Sequence, residues 1–129
     1  MTTHQQDANL RRYFDQQAAR YGRDPLTRWL GRHEMAALAE LAPPAPEPGV
    51  TPALDFGCGT GRASDVLLRC GYRVTGYDLS EAMVAQARRN LEAKPGLVLT
   101  TDRESVAGPW PLVAAMGVLD YHADTASLW

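Results

Sequence analysis

Between Leu54 and Arg62 the chain reads Leu-Asp-Phe-Gly-Cys-Gly-Thr-Gly-Arg, an apolar run with one acid, then glycine at every second position. A strand that ends this way and feeds a helix has few ways to fold. The missing Cβ atoms let the chain turn tightly, let a ligand press on bare backbone, and let the helix pack close to the strand. Backbone N–H groups and the positive end of the helix then face a crevice suited to negative charge. A turn without a ligand would need one or two glycines rather than three in alternation. The dinucleotide fingerprint Gly-x-Gly-x-x-Gly fails at its last position, where Arg62 stands, so a nicotinamide or flavin enzyme is the weaker reading.

The rest of the chain alternates strand and helix around this turn, which argues for a parallel sheet in an α/β architecture. Strands are expected at 52–56, 73–77, 97–101 and 111–118. Helices are expected at about 61–70, ended by Gly71, and at about 81–93, ended by Pro95-Gly96, with Ser80 as N-cap of the second. Ahead of them, Leu10, Tyr13, Phe14, Ala18 and Tyr21 recur at helical spacing over 5–21, and a further helix runs from Pro25 to about Ala42. Residues 1–42 are thus read as an N-terminal helical cap. The proline-rich stretch within 43–51 is read as a stiff, extended connector, and 52–129 as the main domain.

With 129 residues and a formal charge of −2, the chain is one domain in size and carries no electrostatic footprint for nucleic acid. No stretch is apolar for long enough to cross a bilayer, and Met1 to Asn9 lack the apolar segment of a signal peptide. Its two cysteines, Cys58 and Cys70, have no metal-pair spacing, so no metal site and a reducing, cytoplasmic setting are expected.

The run from Ala53 to Gly61 resembles the first motif of the class I methyltransferases that use S-adenosylmethionine. The stretch Gly76-x-Asp78-x-Ser80-x-x-Met83, with Ala87 beyond it, looks like the second. An acid ending the strand beside the glycine turn faces the same crevice, and a carboxylate can accept from both hydroxyls of a ribose. Capping of the next helix is the alternative for Asp78, though Ser80 is better spaced for it. The resemblance implies a Rossmann-like, doubly wound, mostly parallel sheet of order 3-2-1-4. It implies S-adenosylmethionine as cofactor, its ammonium at Asp55 and its carboxylate at the backbone of Gly57, Cys58, Gly59 and Gly61. Asp78 would hold the ribose, Leu79 would flank adenine, and Asp102 would accept from the adenine amino group, unless it is simply a solvated loop residue. Met116 and Gly117 would line the pocket.

On the acceptor side the candidates are Asp120, Tyr121 and His122, with His122 as a base if it is more than a surface histidine. Similarity to the lead-in helices of small-molecule methyltransferases suggests that Tyr13 or Tyr21 closes the pocket. One of Arg23, Arg28 and Arg32 would then meet a carboxylate. The alternative is that these are ordinary core aromatics and a solvated face. Arg88 and Arg89 are assigned to solvent. The function implied is methyl transfer to a small-molecule acceptor. The second reading is a non-catalytic cofactor-binding fragment or regulatory partner.

Family members carry further strands after the fourth. By analogy the fourth strand here lies on a sheet edge, yet its composition is that of a strand buried on both faces. An N-terminal portion of a methyltransferase is therefore expected, with self-association or a partner chain at that edge.

Overall fold

A computed structural model describes residues 2–116. Two helices come first, α1 (Thr3–Gln17) and α2 (Pro25–Leu41). Then follow β1 (Pro52–Phe56), α3 (Arg62–Arg69), β2 (Arg73–Tyr77), α4 (Glu81–Leu91), β3 (Leu97–Thr100), a 3-10 turn (Glu104–Val106) and β4 (Val113–Ala114). All strand pairs are parallel and the order is β3-β2-β1-β4, as expected by analogy.

Strand alternation divides the core. Ala53 and Val74 point to the side of α3, where Leu67 and Tyr72 complete one apolar cluster. Leu54, Phe56 and Tyr77 point the other way, against Val106 and Trp110. The Trp110 indole N–H donates to the Val106 carbonyl at 2.8 Å, so this cover satisfies its own polar group. Strand order reverses about β1, with β2 on one side and β4 on the other, and such a switch point opens a crevice at the carboxyl ends of the strands.

The bounds of β1 and β2 coincide with the expected ones, and the other elements differ for local reasons. Helix α1 starts earlier because Thr2 caps it, its side chain accepting from the Gln5 N–H at 3.3 Å. It also ends earlier: Arg20 N–H to Gln17 O and Arg23 N–H to Arg20 O are three-residue bonds that tighten the chain into a turn at Gly22. Helix α4 stops at Leu91 because Glu92 and Ala93 take left-handed conformations. The segment read as an extended connector is folded against the end of α3. Ala45 is buried, its N–H donating to Cys70 O, while the Gly49 N–H donates to Gly71 O.

The fourth strand was expected over 111–118 and buried on both faces. Its described strand is two residues long, and of 112–116 only Ala114 is buried. The expected helix near Asp124 lies outside the described residues.

Candidate functional site

The crevice is built by the loop between β1 and α3. Gly57, Gly59 and Gly61 all have positive φ, which explains their alternation. The loop uses its own donors. The Gly57 and Cys58 N–H groups both donate to Tyr77 O at 2.8 Å, the Gly61 N–H to Cys58 O at 2.9 Å, and the Gly59 N–H to Asp78 Oδ2 at 2.8 Å. Of these four amides, expected to receive a carboxylate, three hold the loop to Tyr77 and Asp78, and that of Gly61 closes a turn within the loop. The cavity beside Asp55 is lined by Gly57, Cys58 and Gly59 together with Thr60, Arg62 and Ala63.

Gly76 allows this close approach. A Cβ there would lie 2.6 Å from Leu99 Cδ2 and 3.2 Å from the Cys58 Cβ and Sγ. The Cys58 side chain is accordingly packed toward β2 and buried, and burial pushes its thiol well above the ordinary range.

Asp78, at the end of β2, accepts from Gly59 on one oxygen and from the Ser80 N–H (2.9 Å) on the other. Burial raises its pKa, and those backbone bonds oppose the shift. It does not cap α4. Ser80 does so, its Oγ accepting from the Met83 N–H at 3.1 Å.

Asp55 is fully buried. Its Oδ2 accepts from Ser64 Oγ at 2.7 Å, and its Oδ1 has no hydrogen-bond partner among the described residues. Burial pushes its pKa up to about 6; the Ser64 bonds pull it down, and the charge of Asp78 adds to the rise. A buried carboxylate oxygen left in this way is costly unless a cationic donor meets it.

Two cavities flank Gly57 and Gly59. The first, about 160 Å³, lies on the Asp78 side and is walled by Phe14, Phe56, Tyr77, Leu79 and Arg103. The second, about 210 Å³, lies on the Asp55 side with Thr60, Arg62 and Glu34. Tyr21 and Met116 border both. The first chamber carries the rings of Phe14, Tyr21, Phe56 and Tyr77, with Asp78, Asp7 and Arg103 also on its wall; the second holds Asp55, Glu34 and Arg62.

Several anticipated residues lie elsewhere. Asp102 is exposed and does not line either cavity. Its Oδ1 accepts from the Glu104 N–H at 3.0 Å, which starts the 3-10 turn, and the neighbouring Arg103 lines the first cavity in its place. The Arg103 guanidinium stacks 4.8 Å from the Phe56 ring centroid. Tyr13 is exposed and edge-on to Phe14, which takes the position in the wall. Arg28 and Arg32 line a separate groove between α2 and α3, and Arg23 is exposed. Arg88 and Arg89 are exposed, as assigned. Gly117, Asp120, Tyr121 and His122 lie outside the described residues.

Sequence reading missed Asp7, Leu10, Phe56, Tyr77, Met83, Arg62 and Arg103 as cavity residues. Phe56 and Tyr77 were within reach, since each is the last residue of a strand at the carboxyl edge. Arg62 sits against Gly31, the one buried residue of α2, where a Cβ would collide with its guanidinium, and it lies over the Tyr21 ring at 5.7 Å.

Among solved structures, magnesium protoporphyrin IX methyltransferase from Synechocystis, crystallised with S-adenosylhomocysteine, is similar in fold. It has a TM-score of 0.70 and 24% identity over 91% of this chain and 61% of that one. An S-adenosylmethionine-dependent methyltransferase from Mesorhizobium loti is 30% identical, with a TM-score of 0.57, over 72% of this chain and 43% of that one. The ubiquinone biosynthesis O-methyltransferase of a Methylobacterium species is 34% identical over 83% of this chain and 42% of its own length. The chain spans between 19% and 42% of the curated relatives it matches. The methyltransferase-domain family matches residues 53–120, which run from the first strand through the glycine loop, Asp78 and Met116 and make up more than half of the sequence. On that match the chain belongs to the methyltransferase domain family.

Proposed function

We propose that this chain binds S-adenosylmethionine across the two cavities and serves methyl transfer to a small-molecule acceptor. The observation that carries the reading is the division of the crevice. An aromatic chamber beside Asp78 suits a nucleoside, and a polar chamber with the unpartnered Asp55 Oδ1 suits an amino-acid group.

Asp78 accepts from the ribose hydroxyls, its orientation held by Gly59 and Ser80. Leu79 and Phe14 enclose the base, Arg103 lies on the same wall, and Tyr21 and Met116 border both chambers. Asp55 Oδ1 accepts from the ammonium, while Arg62 and the start of α3 receive the carboxylate. When bound, S-adenosylmethionine supplies a methyl group on a sulfonium, open to in-line displacement by a nucleophile. The protein's part is then to hold two ligands in register. Asp120, Tyr121 and His122 are the acceptor-side candidates, with His122 removing a proton where the acceptor arrives protonated.

The acceptor's class rests on the relatives, whose names point to small molecules. A cytoplasmic setting is supported by Cys58 and Cys70, both free thiols. Among the described residues no helix is long and apolar enough to cross a membrane.

Calorimetric titration with S-adenosylhomocysteine is the test. Binding should be seen, and Asp78→Ala should cost on the order of 2 to 4 kcal/mol of it. Folded protein that takes up none would refute the reading. Formation of S-adenosylhomocysteine with any member of an acceptor panel supports catalysis by this chain. Binding without product across the panel would support a non-catalytic binding role.

A further inference from the structure

One series of hydrogen bonds joins the N-terminal helix to the acid that ends β2. Asp15, in the last turn of α1, accepts on Oδ1 from Ser80 Oγ at 2.5 Å and from the Ala82 N–H at 3.3 Å. Ser80 is fully buried, and its N–H donates to Asp78 Oδ1. Asp78 Oδ2 in turn accepts from the Gly59 N–H. Asp15 and Ser80 are 65 residues apart in sequence, so this is a tertiary contact with no local reason to form.

Helix α1 buries no residue fully, and Leu10 and Phe14, on the wall of the first cavity, are only partly covered. A charge-assisted hydrogen bond to a buried hydroxyl at its end therefore contributes to its seating. A ligand in the first cavity touches Asp78 below and α1 beside it, so it favours the docked state. We propose that Asp15 is a positioning residue that couples the docking of α1 to the orientation of Asp78, through Ser80. The inference rests on the cofactor reading above. The coupling is reciprocal: a nucleoside bound at Asp78 holds α1 down, and the Asp15 contact slows the nucleoside's release.

The test measures S-adenosylhomocysteine release by stopped flow and α1 amide exchange by mass spectrometry, with thermal melts to show that each variant folds. In the unaltered protein the ligand should slow exchange across α1. Asp15→Ala should weaken binding roughly tenfold or more, chiefly through faster release, and abolish that protection. Asp15→Asn, whose Oδ1 still accepts from both donors, should restore most of it. In a Ser80→Ala background, Asp15→Ala should add little. Unchanged release in folded Asp15→Ala, α1 exchange indifferent to ligand, or Asn behaving like Ala would each overturn the inference while leaving the cofactor reading standing. Absence of binding to the unaltered protein would instead sink the cofactor reading, and this inference with it.

Discussion

Replacing Asp55 with Asn should make the ligand-free protein more stable and the ligand-bound one weaker. The folded chain keeps the Asp55 proton to about pH 6, against 3.8 for a free carboxyl. Over that interval the folded state binds more protons than the unfolded one, so stability falls as pH rises and levels off above pH 6. A shift of about two units at about 1.4 kcal/mol each makes the fall about 3 kcal/mol. Asn cannot ionise, but its amide N–H₂ would sit where Oδ1 has no partner. The net gain should therefore be about 1 to 2 kcal/mol at pH 8 and vanish by pH 4. Urea unfolding of both proteins at pH 4, 6 and 8 reads this directly. Titration supplies the second arm: S-adenosylhomocysteine should lose at least about tenfold in affinity, while 5′-methylthioadenosine, which lacks the ammonium, should bind as before. The reasoning fails if the unaltered protein grows more stable from pH 4 to 6. It also fails if the variant is destabilised equally at all three pH values, or if both ligands lose affinity alike.

Three other outcomes follow from the geometry. Tyr21→Ala opens the border between the chambers and removes the ring under Arg62, so S-adenosylhomocysteine should bind about fivefold to fiftyfold more weakly by calorimetry. Gly76→Ala drives a methyl group into Leu99 and Cys58 and should lower stability by about 1 to 3 kcal/mol in urea melts. Asp102→Ala removes only a local side-chain bond to the Glu104 N–H, so cofactor affinity should change less than about twofold, a result opposite to that of an adenine contact.

Much of the site was legible because its parts are punctuation. Glycines with positive φ follow β1, and an acid follows β2, so both strand bounds and the placing of the glycine loop and Asp78 at one edge of the sheet could be read from local pattern. What escaped reading depends on contacts between distant segments. Helical spacing put Tyr13 and Phe14 on the same footing; only the seating of α1 on α4 decides that Phe14 faces inward. Asp102 and Arg103 are adjacent, and the choice between them was made by a backbone N–H two residues on, which captured the carboxylate. The loop amides are occupied because Tyr77 O and Asp78 lie within reach across the sheet, a closeness set by the bare Gly76.

The lodging of Cys58 against Gly76 also gives the molecule a gauge of its own opening. A thiol so shielded should resist alkylation until the glycine loop lifts away from β2, whereas Cys70 is partly accessible. The lag between the first and second label therefore times how often the glycine loop comes away from β2, and on the proposed function saturating nucleoside should lengthen it.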